Sequence, residues 1–422
     1  MDAPPAPGTR PVLRPGPQEW QRTLWVMMGI QLIMTLSFTV LSPIMPLFLP
    51  DLGVQDPAAI DLWTGILNGV TAFVAAFVSP LWGRLSDRKG RKLMLLRSGV
   101  AISFFTALMG LSLNVWQFFA ARALMGAFAG FSASAITLVA TQVPEDRLGF
   151  ALGWLSTGQL VGGLVGPVVG GLIADITGSY RIPFFFTSFL TASACVLAWL
   201  LVRENFAAPQ GRRKRDSTFR ALRMVAGGGL LPLFLVLLFA QFAVRTVQPV
   251  VTLYVQQLIG NVPNLATLGG VAFSVTGLGD VIASPFLGKR SDRLGYRRVL
   301  LICLAGAALF SAPQAFAHSY WVFVAERFGV GMFIGGILPT ANALVGRLAP
   351  PDQRGTVYGL TASATFLGNS MGPLTGGGVA ATLGLRWVFL VTAGVLVANL
   401  IWVAIAVPRS ADRPEPSRFT AR

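Results

Sequence analysis

A charged string near the end of one apolar stretch returns, in altered form, in the second half of the chain. The first copy, from Gly83 to Lys92, reads G-R-L-S-D-R-K-G-R-K. The second starts 205 residues later at Gly288 and reads G-K-R-S-D-R-L-G-Y-R-R. Each copy lies between two apolar stretches. A repeat at this distance predicts two copies of one membrane-embedded unit, with a charged turn at the same place in each.

The composition is that of a membrane protein. Of 422 residues, 54% are hydrophobic and 12% are charged, and the mean hydropathy is +0.65. A soluble domain carries about twice that charged fraction, whereas an apolar run of about 20 residues spans a bilayer as a helix. We therefore predict an all-α membrane protein with twelve transmembrane helices in two pseudo-symmetric six-helix bundles. The predicted spans are 23–48, 60–83, 93–112, 115–141, 149–174, 183–202, 229–257 (long enough to tilt or break), 266–287, 299–317, 320–346, 356–380 and 386–407.

The net charge of +16 does not indicate a nucleic-acid partner, because the basic residues follow membrane topology. Arg181 and Arg386 fall on one side of the predicted membrane, and the other Lys and Arg residues outside the spans fall on the opposite side. Cytoplasmic loops are enriched in positive charge, so both termini are predicted to be cytoplasmic. The predicted division is an N-terminal tail 1–22, a bundle 23–203, a cytoplasmic linker 204–226, a second bundle 227–407 and a C-terminal tail 408–422.

The first charged string resembles the signature loop of the major facilitator superfamily, G-x-L-[AS]-D-R-x-G-R-[RK], between the second and third helices. The second copy departs from that pattern at Arg290 and Tyr296. The resemblance implies a gate in which acidic and basic residues latch the two bundles together in one state and release them in another. A purely structural turn is the alternative. The gating residues that we expect are Gly83, Asp87, Arg88, Gly90, Arg91, Asp292 and Arg293.

Two further motifs extend the resemblance over nearly all of residues 23–407. The pattern G-x-x-x-G-P-x-x-G-G occurs twice, and its first copy resembles the antiporter motif of the family's exporters; tight helix packing would also select these glycines. The string R-A-L-M-G in the fourth span resembles R-x-x-Q-G, which is linked to proton coupling, although Met125 replaces the glutamine. Pro43 and Pro46 resemble a proline pair in the first span of drug:proton antiporters. The motif residues are Gly162, Gly166, Pro167, Gly170, Gly171, Gly372, Pro373 and Arg122.

Charged and polar residues inside the spans are candidates for the transport site, because an ionised side chain in the bilayer usually faces a cavity or a partner. Gln241, Arg245 and Gln248 form one stripe on the seventh span, and Gln31 and Thr35 form a shorter stripe on the first. We expect both to line a central substrate cavity.

Two acids are candidates for proton coupling, together with Arg122. Asp280 has no basic residue within its own span, and a buried carboxylate without a partner tends to take up a proton. A structural, hydrogen-bonded acid is the alternative. Glu326 and Arg245 fall at similar depth, so an ion pair between them is one possibility, and a local contact of Glu326 is another.

The sequence contains no nucleotide-binding loop and no metal-ligand cluster, so we expect no cofactor and no enzyme. The expected partners are a small-molecule substrate, protons and membrane lipid, and the expected working unit is a monomer in the cell inner membrane. The function that the resemblance implies is proton-coupled efflux of drugs or other amphiphilic molecules by alternating access. Two alternatives remain open: transport of one anionic or zwitterionic metabolite in either direction, and a membrane-embedded sensor.

Overall fold

Long helices make up most of the chain in the computed structural model, which describes residues 17–144, 147–202, 204, 231–348 and 354–407. We number the helices α1 to α12, and two of them, α4 and α7, consist of two pieces. The bounds are α1 (Pro17–Val40), α2 (Pro57–Lys89), α3 (Arg91–Gly110), α4 (Val115–Ala127 and Phe131–Gln142), α5 (Leu148–Thr177), α6 (Ile182–Leu201), α7 (Leu231–Thr246 and Val251–Ile259), α8 (Leu265–Leu294), α9 (Tyr296–Ser311), α10 (Tyr320–Leu348), α11 (Arg354–Leu383) and α12 (Leu385–Ala406).

Eleven of these helices are long and apolar enough to cross a membrane. The exception is α11, which has 30 residues and therefore a length of about 45 Å. Polar residues such as Asn369, Ser370 and Thr375 lower its hydropathy. The helix packs against α2 and α7, while apolar side chains such as Phe366 and Met371 remain exposed.

The predicted spans agree with these helices in number and order, and the differences are local. The run 229–257 is broken, as its length allowed, by a 3₁₀ turn at Gln248–Val250. The first run was predicted too long, because α1 ends at Val40 and a separate short helix, Met45–Phe48, follows. At its other end, α1 begins at Pro17, inside the predicted tail. Most of the predicted linker and the C-terminal tail lie outside the described residues.

The helices form two bundles with the same internal arrangement. In the first bundle α1 packs on α5 and α6, α3 on α4 and α6, and α2 on α4. In the second, α7 packs on α11 and α12, α9 on α10 and α12, and α8 on α10. Adding six to each helix number of the first bundle gives the contacts of the second. The fold therefore has the predicted pseudo-two-fold symmetry.

The bundles meet along two seams, α2 on α11 and α5 on α8. We call the membrane side on which α1 begins the terminal side, and the opposite side the distal side. The close approaches between bundles at the described glycines, such as Gly65 on Pro373 and Gly270 on Pro167, extend from the distal rim to mid-helix. On the terminal half, a Cβ atom at Gly83, Gly149 or Gly288 would meet nothing within 4 Å. The bundles are thus tightly closed on the distal side.

Candidate functional site

The two charged strings of the sequence form the turns between α2 and α3 and between α8 and α9. Gly90 has φ 94° and ψ 157°, and Gly295 has φ 96° and ψ 141°. A residue with a side chain is strongly disfavoured in this region of φ and ψ. The backbone conformation of each turn therefore requires glycine. Gly83, Arg88 and Arg293 are exposed. The side chains of Asp87 and Asp292 lie outside the described residues, and the latch stays a prediction.

An acid that the sequence analysis placed in the linker anchors the first of these turns. The two carboxylate oxygens of Glu204 accept hydrogen bonds from the backbone N–H groups of Arg91 and Lys92, each at 2.8 Å. Both donors belong to the first turn of α3, where backbone N–H groups lack partners within the helix and favour negative charge. Glu204 therefore fixes the end of α6 to the start of α3 on the terminal side.

The glycines of the first G-x-x-x-G-P-x-x-G-G motif have two separate packing roles. Gly162, Gly166 and Gly170 lie directly on the backbone of α1, where an added Cβ atom would meet carbonyl oxygens. Gly171 instead faces the other bundle and lies on the carbonyl oxygen of Ala266 in α8. Three glycines thus hold α5 against its own bundle, and the fourth lets α5 approach the partner bundle.

The second copy of the motif repeats this division on the opposite seam. Gly368, Gly372 and Gly376 lie on the backbone and Cβ atoms of α7. Gly377 crosses to α2, where a Cβ atom would lie 2.7 Å from the carbonyl oxygen of Asp61 and 2.7 Å from the Cα atom of Gly65. Pro373 contributes its carbonyl oxygen to the same seam, against Gly65. The motif therefore builds the distal closure twice, once on each seam.

A carboxylate that the sequence analysis did not single out fastens the α5–α8 seam. Asp175, near the distal end of α5, accepts hydrogen bonds from the backbone N–H groups of Ala266 at 3.3 Å and Thr267 at 2.7 Å, and from the Thr267 hydroxyl. These donors form the first turn of α8, which favours an anion. Burial and the charges of Asp175 and Asp51 raise the pKa of Tyr180 in the adjoining loop. We call Asp175 with the first turn of α8 the distal latch.

The distal latch predicts a shift between conformations when its charge is removed. Asp175→Asn keeps the shape but loses the charge, and hydrogen bonds to charged groups contribute about 1.5–3 kcal/mol. We expect the ratio of distal-open to distal-closed molecules to rise by about tenfold, measured as the distance between spin labels at the distal ends of α5 and α8. Asp56→Asn is the matched control, because Asp56 caps α2 within one bundle by accepting from the Ala59 N–H at 2.8 Å. Unchanged distances in Asp175→Asn would contradict the latch.

Arg122 and its counterpart Arg327 hold the second helix of each bundle to the fourth. Arg122 is buried and donates from Nε to the carbonyl oxygen of Leu67 at 2.7 Å. Arg327, 205 residues later, does the same to Ala272 at 2.7 Å. The structure records no acidic partner for either guanidinium among the described residues. Each arginine therefore ties α4 to α2, or α10 to α8, and a proton-coupling role for Arg122 stays a proposal.

The polar stripe of α7 lies partly at the contact between α7 and α11, within the second bundle. The Cβ atoms of Gln241 and Arg245 lie over Gly368 and Gly372 of α11. The Arg245 guanidinium donates from Nε to Asn369 Oδ1 and from Nη1 to Gln248 Oε1, each at 3.0 Å. The possible ion pair between Arg245 and Glu326 is not formed. Asn369, which the sequence analysis missed, belongs with this stripe.

The shorter stripe of α1 occupies the equivalent position in the first bundle. Gln31 is buried and donates from Nε2 to the Ser132 hydroxyl of α4 at 3.3 Å, and its Oε1 atom has no partner. The Cβ atom of Thr35 lies against Gly162 of α5. Each stripe thus contacts the helix of its own bundle that carries the glycine motif, which is α5 for α1 and α11 for α7. The role of both stripes in a cavity stays a prediction.

The two candidate acids lie in different surroundings. Asp280 lies near the middle of α8, and a Cβ atom at Gly335 of α10 would lie 2.6 Å from its Oδ1 atom. Within the described part of the chain it has neither an ion pair nor a hydrogen bond. Glu326 lies on the flank of the second bundle, in a groove that also includes Phe316 and His318. Glu326 makes no recorded hydrogen bond or ion pair with the polar stripe of α7 among the described residues.

The break in α4 marks another residue that the sequence analysis overlooked. Arg97 lies one and a half turns inside α3 and donates from Nη2 to the carbonyl oxygens of Phe128 and Ala129, each at 3.2 Å. Its guanidinium also lies 3.4 Å above the Trp82 ring, whose Nε1 donates to the Ala127 carbonyl oxygen at 2.7 Å. These donors satisfy carbonyl groups that the break leaves without helical partners. The sequence signal for Arg97 was a single basic residue inside the predicted span 93–112.

Comparison with known proteins agrees with this geometry. The sequence matches the Major Facilitator Superfamily over residues 27–261 and 233–422. This chain belongs to the Major Facilitator Superfamily. Multidrug resistance protein MdtG of Proteus mirabilis (strain HI4320) is 36% identical over 400 residues, covering 94% of this chain and 99% of that protein. MdtG of Klebsiella pneumoniae (strain 342) is 36% identical over 406 residues, covering 96% and 98%.

Solved structures of the superfamily share the fold. A D-xylose-proton symporter superposes with a TM-score of 0.76 at 14% identity, over 94% of this chain and 99% of that one. A bacterial homolog of the human lysosomal transporter Spinster, in an inward-facing and unoccupied conformation, gives 0.73 at 17% identity, over 93% and 98%. The predicted fold class and family are therefore confirmed. The chain is a secondary transporter, a multi-pass inner-membrane protein, and not an enzyme.

Proposed function

We propose that this chain exports drugs and other amphiphilic small molecules in exchange for protons. The observation that carries the proposal is its identity of 36–37%, over more than nine-tenths of its length, with proteins named multidrug resistance protein MdtG. The glycine-proline motifs add a physical reason, because they allow the two bundles to close tightly on one side. We also propose that both termini are cytoplasmic and that the working unit is a monomer.

The proposed cycle alternates between closure of the distal and terminal sides. In the conformation described here the α2–α11 and α5–α8 seams and the distal latch are closed, so substrate enters and protons leave on the terminal side. Opening the distal side requires Asp175 to leave the first turn of α8 and both glycine seams to separate. The charged turns at Asp87 and Asp292 are proposed to close the terminal side in that state.

A test of this function uses purified protein in vesicles of defined orientation with a panel of compounds. If the proposal holds, lipophilic and cationic or neutral drugs move against their gradients when only a pH difference is imposed, and each addition of substrate releases protons. A response to one nutrient alone would favour the specific metabolite transporter. Absence of any vectorial flux would favour the sensor.

The specific metabolite transporter has one observation in its favour. Arg245 holds a positive charge on α7 and is already oriented by Asn369 and Gln248. A guanidinium fixed in this way is suited to bind a carboxylate or phosphate with two hydrogen bonds. An anionic or zwitterionic solute is therefore the second candidate for the substrate.

Replacement of Arg245 distinguishes the two candidates. We expect Arg245→Ala to lower transport of anionic compounds by about tenfold, the effect of losing one charge-assisted contact of roughly 1.4 kcal/mol, and to change that of neutral or cationic drugs much less. Arg245→Lys, which keeps the charge but loses the planar donor geometry, should fall between the two. An equal loss for every compound would mean that Arg245 only supports the packing of α7 against α11.

A further inference from the structure

The two bundles differ at the fourth helix of each. α4 is interrupted between Ala127 and Phe131, whereas its counterpart α10 is one continuous helix from Tyr320 to Leu348. Gly130 in the break has φ 127° and ψ 9°, a conformation that a residue with a side chain rarely adopts. The counterpart of Gly130, 205 residues later, is Gly335, which lies inside α10. The break therefore belongs to the first bundle and not to the second.

The two halves of α4 are held by different neighbours. The distal half is fixed to α2, because Arg122 donates to the Leu67 carbonyl oxygen at 2.7 Å and the Thr71 hydroxyl donates to the Arg122 carbonyl oxygen at 3.3 Å. The terminal half, Phe131–Gln142, packs mainly on α3 and also contacts α1 and α5. Since the helical hydrogen bonds are interrupted between the halves, the terminal half can move while the distal half stays on α2.

Arg97 of α3 stabilises the break without using all of its donors. Its Nη2 atom donates to the carbonyl oxygens of Phe128 and Ala129. The guanidinium also lies on the ring of Trp82, which itself donates to the Ala127 carbonyl oxygen. The buried Nε and Nη1 atoms of Arg97 have no hydrogen-bond partner among the described residues. A guanidinium carries five N–H donors, so Arg97 has spare donors that can follow these carbonyl groups when the helix bends.

The second bundle has apolar residues at the two equivalent positions. Arg97 corresponds to Ile302 and Trp82 to Leu287, each 205 residues later. The side chains of isoleucine and leucine cannot donate hydrogen bonds, and the continuous helix α10 leaves no carbonyl group there that needs a donor. In the first bundle, Trp82 directly precedes Gly83, the first residue of the charged string. The contact of Arg97 with Trp82 therefore links the break in α4 to the end of α2 that carries the charged turn.

We propose that Gly130 is a hinge on which the terminal half of α4 moves when the terminal side closes, and that Arg97 is the positioning residue of this hinge. Arg97 keeps the carbonyl groups of the break hydrogen-bonded in both arrangements. Its contact with Trp82 makes the hinge move together with the charged turn. The proposal rests on the alternating closure of the two sides proposed above, and it does not depend on which compound is carried.

The first test measures transport per folded carrier in variants of the hinge. Arg97→Ile introduces the residue of the second bundle, and we expect it to lower kcat about tenfold while KM changes less than about twofold, because closure slows and substrate binding does not. Arg97→Lys keeps a cationic donor and should restore most of the rate. Gly130→Ala disfavours the present φ of the hinge and should also lower kcat. Gly153→Ala is the control, since its Cβ atom would meet nothing within 4 Å.

The second test uses spin labels to show whether the terminal half of α4 moves. One pair of labels replaces Trp116 and Ile136, which lie on the two halves of α4. The control pair replaces Trp321 and Leu338 of the continuous helix α10, and all four side chains are exposed. Labels on the distal ends of α5 and α8 report opening of the distal side. When that side opens during transport, we expect the α4 pair to show a second distance and the α10 pair to keep one.

The two tests give clear contrary outcomes. A single distance for the α4 pair while the distal labels separate overturns the hinge. Parental kcat per folded carrier in both Arg97→Ile and Gly130→Ala also overturns it, and Gly130→Ala decides alone if Arg97→Ile does not fold. A rate in Arg97→Lys as low as that in Arg97→Ile overturns the role of Arg97. If the distal labels never separate, the proposed cycle fails and the hinge fails with it.

Discussion

Gly377→Ala is expected to abolish most transport while leaving both bundles folded. The added Cβ atom would lie 2.7 Å from the Asp61 carbonyl oxygen and 3.0 Å from the Gly65 backbone nitrogen. These neighbours are backbone atoms and cannot rotate away, so α2 and α11 must separate by several tenths of an ångström. Overpacking of this kind costs about 1–3 kcal/mol. That cost applies only to the distal-closed state, because the two helices belong to different bundles.

The expected result is a transporter held with its distal side open. We expect a decrease in transport of at least about tenfold, with thermal stability close to that of the parent and with labels on the distal ends of α2 and α11 further apart. Gly378→Ala is the matched control: it is the next residue of the same helix, and its Cβ atom would meet nothing within 4 Å. Transport at the parental rate by Gly377→Ala would contradict the proposed role of the α2–α11 seam.

The sequence predicted much of the fold because the physics of a bilayer leaves few choices. Apolar runs of the right length become helices, and the repeat at 205 residues predicted two bundles with matching contacts. Helix breaks were less predictable. The break of α7 had a signal in Pro249, whereas the break of α4 at Phe128–Gly130 depends on Arg97 and Trp82, which belong to other helices. A helix break that depends on contacts with other helices leaves no pattern in the local sequence.

The candidate site was predicted less completely, for a related reason. Glycine motifs and buried charges can be found in a sequence, but the partner of each side chain cannot. Arg245 contacts Asn369 rather than Glu326. Asp175 has no distinguishing pattern in the sequence, because its donors belong to the first turn of α8. The functional contacts join residues 91 to 124 positions apart. Spacing along one helix, on which the sequence analysis depended, does not reveal them.

Asp280 differs from the arginines inside the spans in having no recorded partner among the described residues. Arg122, Arg245 and Arg327 each donate hydrogen bonds to oxygen atoms of a neighbouring helix or turn. Asp280 lies half-buried against Gly335, with no hydrogen bond or ion pair within the described residues. The equivalent position of the first bundle, 205 residues earlier, is Ala75. An acid that occurs in only one of two repeated units is more readily explained by coupling than by packing, since the other bundle packs without it.

Asp280→Asn is therefore expected to stop transport driven by a pH gradient. A carboxyl group that no fixed cation holds ionised can bind a proton when one side is open and release it on the other. Asparagine resembles the protonated acid in shape but cannot release a proton, so accumulation driven by ΔpH should cease while exchange of labelled for unlabelled substrate continues. Both rates are measured in the same vesicles, with Glu326→Gln in parallel. If Asp280→Asn still concentrates substrate under ΔpH and Glu326→Gln does not, the proton is carried by Glu326.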